Sequence, residues 1–196
     1  MANEGQLAFR IRLYGALVIA LVAAASVAGA AQPQPTPKIE VIPKLLPVPK
    51  RTGHVTDTVN VLLAGDREHL EKMLAQYERA TFHQLAVLTI PTLAGEDVEA
   101  FSRRVSSAWK LGQQGLDNGI LITMAMKERA VRIELGAGMK RFISNEEAKA
   151  VIDKKMIPAF SKGEFAAGLQ AGLEELMKLG RKFVVKKEDV ERAKRK

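Results

Sequence analysis

Cysteine is absent from all 196 residues, and that absence removes disulfides, thiol catalysis and thiolate metal sites together. Histidine occurs three times, at His54, His69 and His83, on segments with no shared spacing, which argues against a multi-histidine metal centre. Aromatic residues make up 5% of the chain, so aliphatic side chains must supply most of any core. Proline is scarce after residue 50, where Pro91 and Pro158 stand alone, because six of the eight lie in 32–50. The formal net charge of +8 does not form a basic face interleaved with aromatics. Much of it sits at the ends, in Lys38, Lys44, Lys50 and Arg51 and again in 181–196. A nucleic-acid partner is therefore not expected.

The N-terminus carries a recognisable export signal. Arg10 and Arg12 precede an apolar run over 13–27, and Ala28, Gly29 and Ala30 supply an A-x-A cleavage site, with Ala31 as a close alternative. Residues 1–31 thus read as a signal peptide. The stretch 11–31 also approaches the ~20 residues that span a bilayer, so an uncleaved N-terminal anchor is the second reading. Both place the remainder outside the cytoplasm, periplasmic or membrane-tethered. The proline-dense segment QPQPTPKIEVIPKLLPVPK follows, and prolines at that density favour an extended spacer over helix or sheet, giving a linker over 32–51. A folded domain is expected over 52–180 and a basic tail over 181–196. With Val190 and Ala193 as its few apolar positions, the tail segment KKEDVERAKRK reads as a solvated helix or frayed end more than a docking helix. Basic tails suit anionic lipid headgroups or cell-wall polymers. Solubility alone accounts for them equally well.

Within the domain, Leu70, Met73, Leu74 and Tyr77 fall at helical spacing and predict a helix over 66–79 with Asp66 as N-cap. QLAVLTI, ended by Pro91, predicts a buried strand over 84–90. Val98, Phe101 and Val105 mark a second helix, opened by Glu96 and Asp97. Residues 120–126 and 130–135 are β-like and so closely linked that they must form an antiparallel hairpin. Ser144 and Glu147 make a capping box, flanked by Ile143 and Ala148 as a hydrophobic staple, for a helix ending before Pro158. A last helix carries Phe165, Leu169, Leu173 and Leu176 and stops at Gly180, and its Gly168 and Gly172 predict close packing on the sheet. This order predicts an α/β fold: an α/β/α sandwich in which a small mixed sheet is flanked by helices on both faces. The crossover from Leu85 to Ile122 is expected to be parallel and right-handed.

The stretch WKLGQQGLDNGILI, 109–122, enters the central strand and brings Asp117 to its N-terminal end, opposite the usual ligand crevice of open parallel sheets. The same edge receives Gly136, Ala137 and Gly138. Gly112, Gly115 and Gly119 therefore converge with Gly136 and Gly138. Bare backbone there has two readings: room for an ion or anion, or tight turns that need positive φ.

Together with VRIELGAG, V-x-D at 55–57, Leu62 and Leu63, QLAV at 84–87, Gly95-Glu96-Asp97, IPAF at 157–160 and Gly163-x-Phe165, this stretch resembles the TPM domain family, named for thylakoid-lumen, photosystem-repair and levamisole-receptor-associated members. The resemblance implies an α/β/α sandwich near a membrane. It also implies divalent-cation binding, calcium in particular, at acidic loop residues that correspond here to Asp57 and Asp117, with Asn118 nearby. This chain departs from the pattern where Lys140 stands after the G-x-G in place of an acidic residue. Arg141 stands for a glycine, and Ser144 and Asn145 for Thr-Asp. Lys140 is expected to fill the ion's place as a counter-ion to Asp117. Two functions follow from the resemblance. One is an accessory or interaction module that binds a membrane protein or membrane complex, with the glycine lip, Lys140 and Arg141 facing an acidic loop. The alternative is a weak metal-dependent phosphomonoesterase, for which Asp57 or Asp117 would serve as nucleophile or ligand and no familiar phosphatase signature is present.

Overall fold

Two runs of buried residues form the centre of the sheet. β2 (Gln84–Ile90) and β3 (Gly119–Ala125) pair in parallel from Gln84↔Gly119 to Ile90↔Ala125. Both are almost continuously apolar, as strands covered on two faces must be. β4 (Ala130–Leu135) folds back antiparallel on β3, and a short β1 (Val55–Asp57) adds parallel to β2, giving the order β1-β2-β3-β4. The computed structural model describes residues 45–195 apart from the Lys194 side chain, all within one compact unit. The expected leader and most of the proline-rich linker lie outside the described residues. Among the described residues no helix is long and apolar enough to cross a membrane.

Side-chain alternation splits the core in two. Leu85, Val87, Ile120, Ile122, Ile133 and Leu135 face α1 (Ala64–Thr81), α3 (Asn145–Val151) and α5 (Phe165–Gly180). Ala86, Leu88, Leu121 and Ala125 face Phe101 and Val105 of α2 (Val98–Ala108). Helices thus cover both faces of a mixed sheet, the expected sandwich. Each buried leucine or isoleucine contributes ~1.5–3 kcal/mol, so the aliphatic core compensates for the thin aromatic content. The strand order advances in one direction while α1 and α2 pass on opposite faces. The two crossovers therefore have opposite hands, and one departs from the right-handed rule.

Several helix boundaries differ from expectation. α1 starts at Ala64 with Leu63 at the N-cap, so Asp66 lies in the first turn and acts on the helix dipole instead of capping it. The Ser144–Glu147 capping box is present on α3, and Ile143 and Ala148 are both buried. After Val151 the helix widens into a π turn over Ile152–Met156 and resumes as α4 (Ile157–Phe160) with Pro158 in its first turn. Proline has no N–H and presses on the carbonyl four residues back, and a widened turn relieves that clash. Gly168 and Gly172 pack closely, but on this π turn and α4: a Cβ at either would run into Phe160 or Met156. Gly180 is the last residue of α5, not the one beyond it. The basic tail continues into an ordered helix, α6 (Lys187–Lys194).

Candidate functional site at the glycine lip

At the N-terminal end of β3 the entering loop and the chain leaving β4 lie backbone against backbone. Gly136 N–H donates to Gly119 O at 2.8 Å and Gly138 N–H to Asp117 O at 3.1 Å. A Cβ on Gly136 would overlap the Asp117 carbonyl oxygen, and one on Gly138 the Leu116 carbonyl oxygen. The glycines therefore do not leave room for an ion between the loops, because the opposite backbone fills that space. Gly112 also needs its freedom, at φ +111. Asp117 itself sits at φ +48, in the left-handed region that aspartate and asparagine tolerate best among residues with a side chain.

Beside these loops, against the C-terminal end of α2, is an open cleft of about 900 Å3. Arg103, Lys110, Gln114, Asp117, Glu134 and Lys140 contribute its charged and polar walls. Glu134 is nearly buried, with one oxygen 3.3 Å from Arg132 and the other 3.6 Å from Lys140 Nζ. Arg103 pairs with Glu99 at 2.8 Å. Lys110 has no carboxylate partner among the described residues and, like Asp117, is exposed. Lys140 is half-exposed, and its counter-ion is Glu134, not the expected Asp117.

A hydrogen-bond relay positions this lip from behind. His54 lies between two carboxylates, Nδ1 2.8 Å from Glu71 and Nε2 2.8 Å from Glu78. With a carboxylate at each nitrogen, both nitrogens donate only when the ring is protonated, so the pair favours the imidazolium form. The Glu78 hydrogen bond, assisted by Glu71, outweighs burial and raises its pKa above the usual histidine value. Glu71 also accepts the His54 and Val55 N–H groups, which fixes the start of β1. Glu78 in turn accepts from Gln84 Nε2, and Gln84 Oε1 accepts Gly112 N–H, each at 2.8 Å. On the outside, Phe183 stacks on Phe142 and lies against His83, and α6 brings Ala193 over Gly115 while burying Val190.

The sequence-predicted residues separate in space. Asp57 ends β1 and pairs in register with Thr89, which pairs with Met124, so it lies roughly 20 Å from Asp117 at ~3.3 Å per strand residue. Its carboxylate accepts from Val61 N, Leu62 N and Thr89 Oγ1. Burial alone would raise its pKa, but these bonds hold it below the usual value. Asn118 is buried, its Oδ1 accepting Gln113 N–H at 2.7 Å and its Nδ2 donating to Phe82 O at 2.9 Å, so it pins the loop to the end of α1. Asn145 opens α3 and Arg141 is exposed; neither lines the cleft. Calcium takes six to eight oxygens with several carboxylates among them. At the lip both Glu134 oxygens face cations and Asp117 is the remaining carboxylate, so this donor set does not fit a calcium ion. Among the described residues no three histidine, aspartate or glutamate side chains are placed to share a metal. Lys110 and Glu134 were not singled out from the sequence. The signal for Glu134 was the pair Arg132 and Glu134, two charges on one face of an otherwise apolar strand.

A model of the TPM domain matches residues 55–179. The N-terminal domain of a protein from P. gingivalis, solved by NMR, is 27% identical, with a TM-score of 0.59 over 65% of this chain and 82% of that one. The BA42 protein of the psychrophilic bacterium Bizionia argentinensis is 23% identical, with a TM-score of 0.57 over 65% of this chain and 88% of its own. The N-terminal domain of the cg2496 protein of Corynebacterium glutamicum is 16% identical, with a TM-score of 0.52 over 68% and 85%. The last two bear on fold alone. Among curated proteins, none matches this sequence.

Proposed function

This chain belongs to the TPM domain family, and we propose that it is an exported, non-catalytic interaction module working near the membrane. Its cleft at the glycine lip receives an acidic segment of a membrane protein or membrane complex. The observation that carries this reading is the charge arrangement: Lys110 has no carboxylate partner among the described residues and Lys140 is half-exposed in an open cleft, while Glu134, the buried carboxylate there, is held by Arg132. Exposed lysines at a rim speed and orient encounter with an acidic partner. The leader expected over residues 1–31 supports the extracytoplasmic setting, and the basic ends add contact with anionic lipid.

A phosphomonoesterase needs a nucleophile or metal-bound water, a phosphate clamp and a general acid. The lysines offer a clamp. Both nitrogens of His54 are engaged by carboxylates, however, and it reaches the lip only through Glu78 and Gln84, so among the described residues this histidine does not serve as the proton-transfer partner.

A photo-crosslinking residue at Gln114 of the full chain, used in the producing cells, tests the module. A discrete adduct is expected, reduced about tenfold or more by Lys110→Glu with Lys140→Gln, the loss that ~1.4 kcal/mol produces. An adduct indifferent to both changes would remove the cleft from the reading. Lys140 also takes the place of a cation at the lip, so calorimetric titration with calcium is expected to give no binding heat. Saturable heat that disappears in Asp117→Ala would replace the partner site with a metal site.

A further inference from the structure

The opposite end of the sheet carries a second cavity that the lip does not use. Past the C-terminal end of β3, beside the turn into β4, the larger core opens into a space of about 400 Å3. Met126 in the turn after β3, Val131 on β4, Phe160 on α4 and Phe165 on α5 wall it, and all four are packed on the core yet only partly buried. That size lies within the range of small-molecule sites, and the carboxyl ends of parallel strands are where open α/β sheets hold ligands. Methionine side chains adapt to the shape of an apolar guest.

Two further features bear on the same cavity. The π turn over Ile152–Met156 lies directly ahead of Ile157 and Phe160, and one extra residue in a turn rotates everything after it by about 100°. It thereby sets which side chains of α4 close the cavity, and such turns are frequent at functional sites. At the rim, Arg129 ends the hairpin turn at φ +51, its N–H donating to Met126 O. Glycine occupies that position without strain, whereas arginine does not. The Arg129 side chain is exposed and has no carboxylate partner among the described residues. A cation is thus kept at a strained position beside an apolar hollow. Ser161 Oγ spends its proton on Ile157 O, so the wall offers one cation and no free hydroxyl donor. A guest rich in polar groups, such as a peptide backbone, would lose hydrogen bonds there.

We propose that this cavity binds a free single-chain anionic amphiphile, an alkyl carboxylate of the fatty-acid type. Its chain lies between Phe160, Phe165 and Met126, and its head group pairs with Arg129. The cavity shares no residue with the glycine-lip cleft, so the proposal stands whether or not that cleft docks a partner.

The test is calorimetric titration of the full chain with dodecanoate below its micellar concentration, beside dodecanol and vesicles of anionic phospholipid. Two variants accompany the wild type: Arg129→Gly, which removes the charge and the backbone strain, and Ser161→Trp, which plugs the mouth. Saturable dodecanoate binding is expected, weakened at least about fivefold by Arg129→Gly at an equal or higher melting temperature and abolished by Ser161→Trp. Dodecanoate binding that neither variant changes overturns the proposal and assigns the heat to another apolar segment. Equal affinity for dodecanol overturns it by removing the role of Arg129. No binding of the monomer, with vesicle binding that both variants reduce, overturns it in favour of a bilayer surface.

Discussion

With a carboxylate on each ring nitrogen, His54 contributes stability over a pH range set by two opposed titrations. Its pKa is raised above 6.5, so its contribution is complete below that value and is lost as pH climbs through the raised one. Glu78 is held below 4.5 by the His54 hydrogen bond. In Glu71, hydrogen bonds from His54 overcome the upward effect of burial to the same end. Their contribution is complete above that value and lost as pH falls through the lowered ones. Arg51 acts on the same cluster by lowering the pKa of Glu78. Denaturant unfolding should therefore show the largest cost of His54→Gln, about 2 kcal/mol for two partly buried charge-assisted bonds, near pH 5 to 6.5. The cost should shrink toward pH 9, and a pH-independent difference would show that the ring is neutral in the folded protein. None of this relay could be read from the sequence, because its two ends, His54 to Glu71 and Gln84 to Gly112, join residues on separate segments that only the fold brings together. The glycines were legible as two converging loops. What fills the space between them, the carbonyls of Leu116 and Asp117, was not.

Among the elements, those with a strong local period were legible and those held by distant contacts were not. β2, β3, the hairpin, α1, α2, α3 and α5 follow from runs and spacings. β1 is three residues long and exists because Glu71 and β2 hold it. α6 has few apolar residues of its own, so its sequence resembles a solvated tail; Phe183, stacked on Phe142 and against His83, anchors the chain just ahead of it. Phe183→Ala should therefore cost ~2 kcal/mol, below the ~3–5 kcal/mol of a fully buried ring because this one is only partly buried. Hydrogen exchange should lose protection across α6 while β2 and β3 keep theirs. Retained protection in α6 would mean that Val190 and Ala193 suffice to hold it.

At the scale of the whole molecule, the fold separates two acidic positions that the family resemblance had implied as cation ligands. Asp57 belongs to the carboxyl edge of the parallel strands and Asp117 to the opposite edge, because Asp57 ends its strand and Asp117 precedes one. Cleft and cavity likewise occupy opposite edges, a division invisible without the register. The crossover hands were beyond sequence reasoning for a related reason: the face on which a helix packs depends on which side of each strand is larger and more apolar, and here both sides are. One contact at the edge of the domain affects the others. Pro49 O accepts the Trp109 indole N–H at 2.8 Å, and Leu46 and Val48 pack beside it on the α2 face, sixty residues from their contact in sequence. Any pull arriving through the N-terminal segment therefore loads α2 at Trp109, one residue before Lys110, before it reaches β1. The chain has a single tryptophan, so its emission would register the moment that this mechanical link gives way.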